Sequence, residues 1–453
     1  MPGFDASALS SCAGVRAVLA TPLERVLDAV QRLPAPKHGR PASSGVGNHD
    51  GLPPRVVTLD HNATVSDALE VLARHRILSA PVVIQPDVLR ADDIHHERLD
   101  ADERREAPTL LGFFDVGDAL RCLVDELPAE DRVAEPEGHP HRNVLAWMKI
   151  LEVIERRVSR RRLIGVTGDD AELMYRGNLA SHSLGDVVRD GFLGGRSTDG
   201  VVHRVAIFDT HGEISRVVSM SDAVRFIASR ADDLGAFADA SLTALGLVRA
   251  EEEKEDAERA EAEREASAKH PSASSSKARK PPKARRRRLV TVPPTLPAIE
   301  AFAKMRDEGV SAVGVMDDRG EALIANLSAS DVRGIQPEHF GVLGLPAAEF
   351  LALLHGTAYA GFSRAHSASA SNPFFAGMNE GGFRRHGPFL VTVTPETTLA
   401  ETLRVIVERG VHRVYACERR PGEDFERPVD VVTSRSQTSS AACAKPPRRL
   451  CER

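Results

Sequence analysis

The feature that most constrains this chain is an internal repeat. The stretch Gly309 to Gly334, GVSAVGVMDDRGEALIANLSASDVRG, reads as strand, tight turn, strand and helix start. Val310, Val313 and Val315 form one β-rich run. Asp317-Asp318-Arg319-Gly320 is a turn cluster, and Ala322, Leu323, Ile324 and Leu327 supply a second run. Ser328-Ala329-Ser330-Asp331 follows as a helix N-terminus, where side-chain oxygens satisfy orphan backbone N–H groups. Upstream, Pro297 to Met305 reads as a helix closed by Gly309. The interval from Pro297 to Ser311 recurs from Thr64 to Leu78 and from Thr398 to His412, where Gly410 closes the helix. A fourth copy starts near Ser183 and reaches Val202-His203-Arg204-Val205 after a Gly-rich insertion. Thr64/Asp67, Ser183/Asp186 and Thr398/Glu401 have capping-box spacing. Four starts roughly a hundred residues apart predict four like units, none of which buries its apolar face alone.

Between the second and third copies the character of the chain changes. Glu251 to Glu265 is acidic and Ala-rich without an apolar stripe, and Lys277 to Arg288 is strongly basic. The composition predicts a disordered linker over 249–288, separating a first pair (56–248) from a second (289–433). Ahead of them, residues 1–55 hold a short helix and a loop. Thr21 is the expected N-cap and Pro22 the first helical residue, with Leu23, Val26, Leu27, Val30 and Leu33 on one face. In the fourth copy Val429 to Thr433 reads as the last strand. Residues 434–453 have no apolar period and read as a disordered tail, so the closing helix is missing. That predicts an incompletely covered core under Val429, Val431 and Val432.

Several function classes are disfavoured. Five cysteines show no C-x-x-C pair, which suits a reducing compartment, cytoplasmic or nuclear. No apolar run is long enough to span a bilayer. A net charge of -6 with 4% aromatic residues argues against a single-strand nucleic-acid platform. The basic run before Leu289 keeps nucleic-acid binding as an alternative reading. The His95-His96-Glu97 cluster sits in a charged insertion and reads as a solvated loop rather than a metal site. There is no Walker loop and no nucleophile–base constellation, so a non-enzyme is expected.

The segments DALEVLARHRILSAPVV, GVSAVGVMDDRG and LSASDVRG resemble the CBS domain, a strand-helix-strand-strand-helix unit. Four such units in two pairs resemble the gamma subunit of AMP-activated protein kinase and its plant relatives. The resemblance implies an α+β fold of two tandem CBS pairs, the fourth repeat lacking its closing helix. It further implies a regulatory protein that binds AMP, ADP or ATP in clefts, without other cofactor. Its implied partners are a protein kinase catalytic subunit and a scaffold subunit. Carried onto this sequence, the ribose-binding carboxylates are Asp118, Asp222 and Asp331, and the cleft hydroxyls are Ser219 and Ser328. The phosphate-facing pairs are His203-Arg204 and His412-Arg413. Against that pattern, Ser436 stands at the fourth Asp position and Leu78 at the first phosphate-binding Arg. Asp115 replaces a cleft hydroxyl, and Ser221 stands where the kinase subunit has Lys. A ligand-free interaction scaffold built on the same fold is the other reading. Asp at a helix N-terminus is also the ordinary residue of a cap.

Overall fold

The computed structural model describes residues 13–34, 56–75, 77–84, 109–128, 143–167, 174–176, 182–193, 202–209, 213–248, 289–317, 319–333, 335–355, 390–419 and 426–433. The expected linker 249–288, the tail 434–453 with Ser436, and the His95-His96-Glu97 insertion lie outside them. No described helix is long and apolar enough to cross a membrane.

Four three-stranded sheets correspond to the four repeats. They are β1 (Leu59–Asp60), β2 (Ser79–Ile84) and β3 (Thr109–Asp115); β4 (Met174–Arg176), β5 (Arg204–Phe208) and β6 (Ile214–Ser219); β7 (Thr291–Val292), β8 (Ala312–Met316) and β9 (Leu323–Ser328); and β10 (Thr392–Val393), β11 (Arg413–Glu418) and β12 (Arg427–Thr433). In each, the first strand runs parallel to the second and the second antiparallel to the third. The register shifts after Val82, Ile207, Val315 and Ala416, the same place in every second strand. One recurring bulge makes the irregularity a part of the unit, not a defect.

The described helices are α1 (Ala13–Leu19), α2 (Leu23–Arg32), α3 (Val65–His75), α4 (Val116–Asp125), α5 (Val144–Val158), α6 (Leu184–Asp186), α7 (Met220–Ser229), α8 (Ala236–Asp239), α9 (Ala298–Asp307), α10 (Ala347–His355) and α11 (Leu399–Arg409). Capping boxes form as the spacing predicts at Thr64/Asp67 and Ser183/Asp186. At Thr398/Glu401 half the box forms: the Glu401 N–H donates to Thr398 Oγ1 at 3.2 Å, while the Glu401 carboxylate lies 3.5 Å from Arg404. Gly410 ends α11 in the left-handed region, at φ 64°, where a residue without Cβ is unstrained.

Three helix expectations are corrected. The helix begun by α6 continues as a π-helical segment, Val187–Phe192. After Ser328 the chain makes only a 3-10 turn, Ala329–Val332, before a second 3-10 stretch, Pro337–Gly344. Pro337 has no N–H to give, and it holds Gln336 extended at ψ 154°, so one continuous helix cannot form. At the N-terminus, Pro22 rather than Thr21 takes the cap position of α2, and the Thr21 hydroxyl donates to the Ala17 carbonyl at the end of α1.

Each repeat has two apolar surfaces and covers them with different neighbours. Sheet faces join repeats 1 and 2 through Val83, Leu110, Phe113, Ala206, Phe208 and Ile214. They join repeats 3 and 4 through Met316, Leu323, Tyr415, Cys417 and Val431. The helical sides pair differently. One core joins repeats 1 and 3, with Trp147, Leu151 and Ile154 of α5 packed into it. The other joins repeats 2 and 4 with Val15, Val18, Leu23 and Val26 of α1 and α2. The N-terminal segment is thus part of a core. Its backbone is stitched to repeat 2, with Leu23 N–H donating to the His182 carbonyl at 2.8 Å and Leu184 N–H to the Thr21 carbonyl at 2.9 Å. The expectation of an incompletely covered core in repeat 4 is corrected at Val432. Val432 is fully buried in the core shared with repeat 2, and Val429 and Val431 are half-buried. The exposed large apolar side chains among the described residues are Leu145, Val153 and Ile164, all remote in sequence from repeat 4.

Because both helical cores join repeats on either side of 249–288, a protease cut in that segment should leave two fragments that co-elute in native size-exclusion chromatography. Separate elution of two folded halves would contradict the shared cores. Leu23 is fully buried in the second core. Leu23→Ala should therefore cost about 2–5 kcal/mol in denaturant unfolding.

Candidate functional site

Each repeat builds the same corner, where the first residue of its second strand lies opposite the last residues of the third. Ser79 pairs with Asp115, Arg204 with Ser219, Ala312 with Ser328 and Arg413 with Thr433. The ladder moves one assignment. Ser79, not Leu78, stands at the Arg position in repeat 1, and Leu78 aligns with His203, Ser311 and His412.

Asp118, Asp222 and Asp331 all enter capping boxes with the residue three before them. The Asp115 N–H donates to Asp118 Oδ2 at 2.7 Å, and the Asp118 N–H to Asp115 Oδ1 at 3.0 Å. In repeat 2 the Ser219 N–H and hydroxyl donate to Asp222 Oδ2 at 2.9 and 2.7 Å. In repeat 3 the Ser328 N–H and hydroxyl donate to Asp331 Oδ2 at 2.6 and 3.0 Å. A carboxylate has two oxygens, and in each case capping uses Oδ2. Asp118 Oδ1 pairs with Arg121. Asp222 is 3% exposed, and its Oδ1 is buried without a hydrogen-bond partner. Burial pushes the Asp222 carboxyl up, while the Ser219 bonds and the nearby Arg225 and Arg204 cations pull it down.

The first His-Arg pair lies within electrostatic reach of His412 of the second. His412 is held down to about 3, first by burial and then by the charges of Arg413, His203, Arg204 and Arg333. It is therefore neutral near pH 7, and its Nδ1 lies 3.3 Å from the Ser221 hydroxyl of repeat 2. Arg413 points the other way, donating to Ser311 Oγ at 2.9 Å. The Ser311 carbonyl accepts from Ala329 N–H at 3.0 Å, so Arg413 stands at the mouth of the Ser328/Asp331 corner. The structure thus brings Asp331, Ser328 and Arg413 together in the second pair, while His412 turns toward His203 and Arg204 of the first. Arg204 is half-buried; burial lowers it below its ordinary value, and the charges of Asp115 and Asp222 oppose that shift.

Sequence reasoning did not find Tyr415, Asn326 or Arg333. Tyr415 is 2% exposed and donates its hydroxyl to Asn326 Oδ1 at 2.6 Å. Burial pushes its phenol up to about 12, with Arg413 and Asp331 acting on it in opposite directions. Arg333 was visible two residues beyond Asp331, yet only the fold sets it beside His412. Cys417 is likewise pushed up to about 12 by burial and is an inert thiol at neutral pH. Among the described residues no group of three or more His, Cys, Asp or Glu is placed to hold a metal ion.

The sequence matches the CBS domain family over residues 53–88 and 285–338, in the first and third repeats. The chain carries CBS domains. Repeats 2 and 4 share their sheet order, strand directions and bulge position with the two matched repeats. No curated protein matches the sequence. Among solved structures, a protein of Methanocaldococcus jannaschii proposed as an archaeal homolog of g-AMPK is similar at TM-score 0.44 and 9% identity, covering 85% of this chain and 95% of its own. An uncharacterized conserved protein from Pyrococcus horikoshii is similar at TM-score 0.33 and 10% identity, with the same 85% and 95% coverage. The CBS domain of a membrane protein from Sphaerobacter thermophilus is similar at TM-score 0.26 and 15% identity, covering 47% of this chain and 92% of its own. At these TM-scores the likenesses carry nothing about ligand or partner.

The His412 environment has a pH consequence with a definite sign. Its folded value, about 3, lies below the ordinary His value of about 6.5, so the folded protein disfavours the proton. This contribution to stability is fully present above about pH 6.5 and is lost as the pH falls toward 3. The melting temperature of His412→Gln should fall less steeply than wild type across that window. Parallel curves would show that the imidazole is not held neutral by its surroundings.

Proposed function

We propose that the chain is a regulatory protein that senses an adenine nucleotide and passes the signal to a partner. The observation that supports this reading is that Arg413 reaches the Ser328/Asp331 corner of the second pair through Ser311, while the charges of Arg333 and Arg204 act on the adjacent His412. Clustered guanidinium groups suit phosphate, because each offers a planar fork of donors. A carboxylate beside them suits a ribose cis-diol, because it only accepts. The combination fits AMP, ADP or ATP. The sequence resemblance adds a protein kinase catalytic subunit, with a scaffold subunit, as the partner. For regulation, the nucleotide must bind one arrangement of the repeats better than another.

One observation favours a second reading, the ligand-free scaffold. All three carboxylates are already engaged in capping boxes, which suffices to explain Asp at those positions.

Titration calorimetry with AMP, ADP and ATP separates the two. Loss of the Asp331 acceptor should cost about 1.5–3 kcal/mol for each hydrogen bond to the nucleotide, roughly tenfold or more in affinity. Asp331→Asn, which keeps an oxygen for the Ser328 N–H, controls for loss of the cap. It should hold the melting temperature closer to wild type than Asp331→Ala while still weakening nucleotide binding. Equal affinity in wild type and both variants removes Asp331 from the site. No heat with any nucleotide in the wild type favours the scaffold.

A further inference from the structure

The corners of the two pairs differ in charge. At the position of the hydroxyls Ser219 and Ser328, repeat 1 has Asp115. Asp115 shares its capping box with Asp118, so two carboxylates lie side by side at the head of α4. Arg121 pairs with Asp118, on the same helix. Across the ladder from Asp115 stands Ser79, 5% exposed, with its hydroxyl buried and without a hydrogen-bond partner. It offers no positive charge where repeats 2 and 4 offer Arg204 and Arg413.

The sheet contact brings repeat 2 to this corner. Ala206 and Phe208 of β5 pack against Val83, Leu110 and Phe113 of repeat 1. Arg204 opens β5, and its carboxylate neighbours are Asp115 from repeat 1 and Asp222 from its own repeat. The second pair arranges the equivalent positions differently. Arg413 donates to the neutral Ser311 hydroxyl, and the residue aligned with Asp115 is the neutral Ser328. Leu78, aligned with Ser311, gives Arg204 no such hydroxyl. The packing differs in the same sense. In the first pair Phe113 and Ala206 meet as apolar groups, whereas their counterparts Asn326 and Tyr415 are hydrogen-bonded in the second.

We propose that Asp115 acts as a built-in counter-anion that excludes phosphate from the cleft of the first pair, so that anionic ligands bind at the second pair. The chemical reason is like-charge repulsion in a partly desolvated corner. A phosphate placed on Arg204 falls within the electrostatic reach of Asp115 and Asp222, with Asp118 beside Asp115 in the same capping box. Replacing Asp115 with the serine found at the aligned positions removes one of these charges and retains an N-cap oxygen for the Asp118 N–H.

This inference deepens the nucleotide reading and rests on it for the identity of the ligand, so its test uses two probes. Full-length wild type and Asp115→Ser are titrated calorimetrically with ADP and, separately, with inorganic pyrophosphate. The expected result is one anion site per chain in the wild type, and in the variant an added site or at least a tenfold gain in affinity for a weak one. Two equivalent sites in the wild type, or a variant that stays folded by thermal melting and gains nothing with either probe, overturns the inference. Pyrophosphate gained by Asp115→Ser while ADP binds neither protein upholds the role of Asp115 and counts against the nucleotide reading alone. Should Asp115→Ser fail to fold, Asp115→Asn takes its place with the same expected and overturning outcomes.

Discussion

A small three-stranded sheet with its helices cannot bury all its apolar surface by itself. Everything else in this molecule follows from how that deficit is met. Each repeat gives its open sheet face to one neighbour and its helical side to another. Sheets pair 1 with 2 and 3 with 4, whereas helical cores pair 1 with 3 and 2 with 4. The crossed pairing ties all four repeats into one arrangement. It also explains the two segments outside the repeat pattern. The α5 helix fills the first helical core, and α1 with α2 fill the second.

The same pairing creates the electrostatic centre. Strands β5 and β11 begin where the repeats meet, so Ser221 and His412, 191 positions apart, become neighbours. His412 comes to lie beside Ser221, His203 and Arg204. Cations of like sign are brought together in a place with restricted solvent. The cost of the burial is visible in the depressed proton affinity of His412, to which the neighbouring charges add, and of Arg204, where Asp115 and Asp222 oppose it. Such a cluster is worth maintaining if an anion visits it, and this is the physical content of the proposed nucleotide response. The capping carboxylates serve two ends here. Through Oδ2 they fix the strand-to-helix corner, and through their charge they set how much positive potential each cleft retains.

The repeat and its strands were legible because they depend on local pattern. The β-branched run around Val310, Val313 and Val315, bounded by Gly309 and the Asp317–Gly320 turn, reads locally as a strand, and a Thr or Ser three residues before an acid as a helix start. Departures came where two local rules compete. Pro337 interrupts what Ser328 and Asp331 begin, and Thr21 loses the cap position because its hydroxyl bonds back to Ala17. The one-residue error at Leu78 has a related origin. Counting from the helix start gives an interval, but the ladder across from Asp115 decides which residue occupies the corner.

The Asp and His-Arg positions worth examining came from the family resemblance; by itself the sequence determined the unit: the order of its strands and helices along the chain, its capping residues and the four copies. These rest on interactions within a few residues of each other, which composition and spacing encode directly. Only the tertiary structure decided which repeats share a core, that the N-terminal helices complete one of them, and that Val432 is buried in the core shared with repeat 2. It alone separated the fates of His412 and Arg413, adjacent in sequence but turned to different clefts. It alone put Asp115 of one repeat within electrostatic reach of Arg204 of another. Those outcomes depend on which apolar surfaces remain open after local structure has formed, and on Coulomb interactions between charges far apart in the chain. Neither quantity exists until the repeats have packed.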